Sequence, residues 1–198
     1  PTSAEIDDWT SNVVQRMGAQ DHIASILNGF PRDSRPMTMF VSLIAALSTC
    51  YEDSQDVQSE AARLLHVYRL VAQAPTLAAM GYRHANGLPY NRPVDNLSYS
   101  ANFLRMAFAS SENEYQHHPT LERALDTLFI LHADHEQNCS TSTMRAIGSG
   151  LADPYCAAAG AAAALSGPLH GGANEAVIRM LNEIGSIENV HAYIKRVK

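Results

Sequence analysis

The chain has 198 residues, 46% of them apolar and 17% charged, enough to bury a core beneath a surface sparse in charge, so one globular domain is expected. A formal net charge of -6, with no basic run and no basic residues interleaved with aromatics, excludes the usual footprint of a nucleic-acid-binding protein. The longest apolar-and-small run, residues 156 to 165, is too short to cross a bilayer, and no charged-then-apolar leader opens the chain.

Alternation with a period of two is nearly absent and apolar residues recur at three and four, which predicts an all-α fold. Thr2 and Glu5 form a capping-box pattern that opens a helix running to about Met17. A short helix is expected from His22 to Leu27, broken by Asn28, Gly29 and Pro31. Pro36 then sits where a first helical turn tolerates proline and launches an apolar helix from Met37 to Cys50. Residues 57 to 73 read as a long amphipathic helix, and Pro75 as the start of a separate one that ends near His84. Gly87, Pro89 and Pro93 mark a loop, Leu97 to Phe108 a helix, and residues 109 to 118 a polar connection.

From Pro119 onward, Leu121, Leu125, Leu128, His132 and His135 fall on one stripe at spacings of four, three, four and three, which predicts a buried helix face that ends in histidines. Asp153 and Pro154 make an N-cap and first-turn pair for a helix of small residues from 156 to 165, whose alanines and Gly160 admit a close neighbour. Gly167 and Pro168 interrupt the chain. A helix from about Gly172 to Ile184 closes at Gly185, and a last one starts near Asn189. No repeat or linker divides the chain.

Cys50, Cys139 and Cys156 are odd in number and unclustered, which fits small buried thiols in a reducing, intracellular setting rather than a disulfide framework. Two clusters carry possible chemistry. The run from Leu131 to Asn138 crowds His132, Asp134, His135, Glu136 and Asn138 together at the end of an apolar helix, where burial demands a partner for every polar group. A hydrogen-bonded structural histidine is the simpler reading of His132, and a functional role is favoured for His135. His132, His135 and Cys139 match no zinc spacing, and no HExxH motif occurs, so no metal is expected.

The second cluster, Gly167 to Asn174, is a tight glycine-rich turn that leads into a helix. It holds His170 near a helix N-terminus, where the helix dipole disfavours an imidazolium. A neutral imidazole there can donate a hydrogen bond to a carbonyl as negative charge develops on it, which suits enolate chemistry. The same glycines could cradle a phosphate, but the lysine and the Ser/Thr of a P-loop are missing and no strand precedes the loop, so nucleotide hydrolysis is not expected.

The stretches LHADHEQNCSTST at 131 to 143 and GPLHGGANEAV at 167 to 177 resemble the citrate synthase family, bacterial and peroxisomal branch. Weaker agreement runs through PTLAAM at 75 to 80, NLSYSANFL at 96 to 104 and LERALD at 121 to 126. The resemblance implies a partial multi-helix large domain over residues 1 to 198, with the small domain largely absent. Pro1 in first position and the stop within the last helix lead us to expect further sequence on both sides.

It also implies an acyltransferase that condenses acetyl-CoA with oxaloacetate to give citrate and CoA, a step of the tricarboxylic acid cycle. Under that resemblance His170 is catalytic and hydrogen-bonds the thioester carbonyl, while His135 and Asn138 bind oxaloacetate. His132 and Gly171 support them. No cofactor is expected to be bound permanently, acyl-CoA serving as co-substrate, and neither nucleic acid nor membrane is expected as a partner.

A homodimer or higher oligomer is expected, with the helix at 154 to 165 and the stripe at 121 to 135 at its interface. The expected compartment is the cytoplasm or the matrix of a mitochondrion or peroxisome. No GFGHRVYK-like motif occurs, so the family's second catalytic histidine and its aspartate base are expected outside these residues, and each such group is worth about 100-fold or more in rate. Arg35 stands where relatives commonly carry histidine, which leaves open a 2-methylcitrate or alkylcitrate synthase acting on a longer acyl-CoA. A non-catalytic helical dimerisation module of the same fold is the reading from another class.

Overall fold

The computed structural model describes residues 1–19, 21–110, 116 and 118–197. Among the described residues the regular structure is all helical: α1 (Ser3–Val14), α2 (Asp21–Asn28), α3 (Pro36–Ala46), α4 (Glu60–Ala85), α5 (Tyr99–Phe108), α6 (Pro119–Leu131), α7 (Cys139–Gly148), α8 (Pro154–Leu165), α9 (Gly172–Ile184) and α10 (Val190–Val197), with short 3-10 turns at Leu47–Cys50 and Ile187–Asn189. The expected all-α class holds.

Local chemistry sets most helix starts. The α1 capping box is complete: Glu5 N–H donates to Thr2 Oγ1 at 3.3 Å and Thr2 N–H donates to the Glu5 carboxylate at 2.7 Å. Pro36 opens α3, and the Asp153 carboxylate accepts both the Tyr155 and Cys156 amides at 3.0 Å to open α8. Gly185, at φ 71°, stops α9. α1 is shorter than expected, ending at Val14, and a turn then carries Met17 inward to full burial.

The largest departure from expectation is α4, one helix of 26 residues that passes through Pro75 without ending. A proline removes the N–H that would serve the carbonyl four residues back, here that of Val71. That acceptor is served instead by the Tyr99 hydroxyl from α5, at 2.9 Å. With the vacancy filled from outside, the burial of Ala72, Leu77, Ala79 and Met80 keeps the helix continuous.

The core forms where α2, α3, α4 and α8 meet, around Ile23, Leu27, Met39, Leu43, Leu77 and Tyr155. A second cluster joins α1, α4 and α5 through Val13, Met17, Ala72 and Met106. Polar pins reinforce both. His66 of α4 is 1% exposed; its Nε2 faces the Asp56 carbonyl at 3.2 Å, so that nitrogen carries the proton and Nδ1 accepts from the Tyr155 hydroxyl at 3.1 Å. The carbonyls at the end of α5 receive the Arg83 guanidinium (Ala107 at 3.1 Å, Ala109 at 2.7 Å) and the Asn91 amide (Arg105 and Met106 at 3.3 Å), which supplies donors where the intrahelical ones run out.

Two expectations are corrected here. α6 ends at Leu131 and none of its residues is buried, so the stripe from Leu121 is an exposed apolar face and does not reach His135. The small residues of α8 pack within the chain against α3, α4 and α7. Gly160 of α8 does admit a close neighbour as expected, because the Ile147 side chain of α7 fills the space its Cβ would need. Finally, no cysteine is fully buried: Cys139 and Cys156 are exposed and Cys50 is intermediate.

Candidate active site

α7 positions the site. It has no counterpart in the elements predicted from sequence, yet it packs along α8 more extensively than any other helix pair. Asn138 caps it, the side-chain oxygen accepting the Thr141 amide at 2.9 Å. Ser140, the second residue of α7, faces α8. Its Oγ lies 2.9 Å from the Ala161 carbonyl of α8 and 2.8 Å from His170 Nε2, in the loop beyond α8. The two histidine-bearing motifs, 30 residues apart, are therefore joined through one serine.

The His170 loop is set by close backbone contacts. The Gly167 carbonyl accepts both the His170 and the Gly172 amides at 3.0 Å, which folds the chain back on itself. A Cβ at Gly171 would meet the Leu165 carbonyl oxygen at 2.6 Å, and one at Gly172 would meet the Gly167 oxygen at 2.8 Å. Both positions require glycine for the loop to close. His170 itself is half-buried, two residues before α9, as the sequence predicts.

The Ser140 hydroxyl has one proton and two neighbours. The Ala161 carbonyl only accepts. When the hydroxyl donates to it, His170 Nε2–H donates to Oγ, and a neutral imidazole then presents a lone pair at Nδ1. When the hydroxyl turns onto Nε2, the imidazole carries its proton on Nδ1 and becomes a donor there. The direction of the Ser140 hydroxyl is thus coupled to the His170 tautomer, and the state with the hydroxyl on Nε2 is the one that can polarise a carbonyl from Nδ1. Sequence reasoning did not single out Ser140. Its only signal was its place inside the first motif, two residues after a helix N-cap.

The first cluster is a tight turn rather than a helix end. His132 caps α6, Asp134 accepts the Glu136 amide at 2.8 Å, and Glu136 takes φ 56°, a left-handed conformation costly for a residue with a side chain. His132 and His135 are exposed and pack edge to face, ring centroids 5.4 Å apart. The structure ties Asn138 and Ser140 to the His170 side through α7, while His132 and His135 pair with each other across the turn. Among the described residues no group of three or more His, Cys, Asp or Glu side chains is arranged to hold a metal ion.

With this geometry in hand, the comparisons are specific. The family model for the C-terminal domain of citrate synthase matches residues 1–198. A citrate synthase and a peroxisomal citrate synthase of Dictyostelium discoideum are each 45% identical over 205 residues, covering 100% of this chain. The chain spans 40% and 42% of the length of those relatives. Among solved structures, citrate synthase from Pyrobaculum aerophilum aligns over 94% of this chain and 47% of its own, at 34% identity and a TM-score of 0.82. The ternary complex of carboxymethyl coenzyme A and oxaloacetate with citrate synthase from Thermoplasma acidophilum aligns over 99% of this chain and 50% of its own, at 27% identity and a TM-score of 0.81.

Proposed function

Because this chain belongs to the citrate synthase family, we propose that it contributes the thioester-polarising half of an active site that condenses acetyl-CoA with oxaloacetate, within a longer polypeptide. His170 donates from its ring to the thioester carbonyl as a base removes a methyl proton, holding the charge that develops on oxygen. The resulting carbon nucleophile attacks the ketone carbon of oxaloacetate. Water then cleaves the thioester to leave citrate and CoA.

The observation that carries this reading is the Ser140–His170 pair at 2.8 Å, which holds an imidazole by one nitrogen and leaves the other for substrate. His135 and Asn138 act as ligands for oxaloacetate, with His132 packed beside His135 and Gly171 allowing the loop to close. The exposed apolar face of α6, with Leu121, Leu128 and Ile130 more than half exposed, fits a homodimer contact. The related complex with a CoA analogue and oxaloacetate supports this substrate pair, and the peroxisomal relative makes an organelle matrix one reasonable compartment.

The test is release of CoA thiol by the longer polypeptide with oxaloacetate and either acetyl-CoA or propionyl-CoA. The proposal expects acetyl-CoA to be favoured in kcat/KM. Preference for propionyl-CoA would move the assignment to 2-methylcitrate synthesis, and no turnover with either would overturn it.

A further inference from the structure

Away from the candidate active site, one nucleophile is paired with a base from a different helix. Cys50 closes the 3-10 turn after α3, and its Sγ lies 3.0 Å from Nε2 of His22, in the first turn of α2. The thiol also donates to the Ala46 carbonyl, at 3.7 Å. In the tautomer that leaves the lone pair on Nε2, the imidazole is placed to receive the thiol proton when the sulfur reacts.

The surroundings define what could react. The sulfur packs at the edge of the α2–α3–α8 core, whereas the His22 ring is exposed. Burial pushes the Cys50 thiol up, against a smaller opposing effect of the Thr49 hydroxyl, so little thiolate forms without a base. An apolar wall on one side and an open imidazole on the other favour a small uncharged reagent over a charged one. Cys139 and Cys156 provide internal comparisons, since both are exposed, and at Cys156 a contact with Asp153 also raises the thiol.

We infer that Cys50 and His22 form a modification site for small uncharged Michael acceptors, alkenes conjugated to a carbonyl. The sulfur bonds to the β-carbon as its proton passes to His22 Nε2. The alkene electron pair moves toward the carbonyl, and the proton returns to the α-carbon. No leaving group or oxidant is needed.

Brief labelling of the native protein with N-ethylmaleimide at pH 7, followed by peptide mapping of each cysteine, tests this. Cys50 is expected to react at least fivefold faster than exposed Cys139 and Cys156, and the difference should vanish in urea. His22→Gln should slow Cys50 at least tenfold with the other two rates unchanged, which also reports that the fold is intact. Should the variant unfold, its three rates would converge and the wild-type ranking alone decides. Native Cys50 reacting no faster than the exposed thiols, or a folded His22→Gln variant with an unaltered Cys50 rate, overturns the proposal.

Discussion

Ser140→Ala removes a single oxygen that has two consequences of different size. His170 Nε2 loses its only described side-chain partner, at 2.8 Å, and the Ala161 carbonyl loses a donor at 2.9 Å. A net hydrogen bond of about 1 to 1.5 kcal/mol holds the imidazole in its orientation, so its loss lowers the productive fraction about tenfold. kcat should therefore fall about tenfold with little change in KM, because the interaction acts on the transition state through His170. Stability should fall by only about 0.5 to 1 kcal/mol, since the Ala161 carbonyl lies within a helix that already supplies a donor. Steady-state thiol release on Ser140→Ala, His170→Ala and the double variant measures the coupling. The double variant should be no slower than His170→Ala alone. A tenfold loss that persists on the His170→Ala background would refute the argument, because Ser140 would then act independently of the histidine.

Further predictions follow from the fold. Tyr99→Phe should cost about 1 kcal/mol by leaving the Val71 carbonyl without its cross-helix donor, read as a shifted urea midpoint. Burial pushes the Tyr99 phenol up to about 12 from its ordinary 10, and Tyr155 likewise to about 12. A raised phenol keeps its proton when folded and loses it when unfolded, so its contribution is fully present below pH 10 and is lost as pH rises toward 12. Each of these two tyrosines should cost about 1.4 kcal/mol by pH 11, and Tyr99→Phe should make the pH 9 to 11 loss in urea melts smaller by about that amount. Gly171→Ala drives a methyl into the Leu165 carbonyl and should abolish turnover while α8 remains folded by circular dichroism. Asp153→Ala should cost about 1 kcal/mol in the same melts through loss of the α8 cap.

Local signals proved readable where the cause lies within a few residues. Thr2 with Glu5, Pro36, Asp153 with Pro154 and Gly185 each fix a helix end by contacts inside one turn, and each appears where the sequence places it. Pro75 misled because the group that compensates for it, the Tyr99 hydroxyl, lies 24 positions away in the chain. α7 escaped notice because Ser140, Thr141, Ser142 and Thr143 lack an apolar period; the helix is held by its Asn138 cap and by packing on α8. The four-three stripe of α6 described a real amphipathic face, but periodicity does not say where a helix stops or what covers it. His170 was legible from its glycines, while the serine that orients it needed the α7–α8 packing to be seen.

His170 carries the proposed chemistry most directly. Thiol release with acetyl-CoA and oxaloacetate, measured on the longer polypeptide carrying this chain, should fall at least 100-fold in His170→Ala while circular dichroism and the melting midpoint stay near wild type. A folded His170→Ala protein that keeps turnover within tenfold of wild type would contradict it.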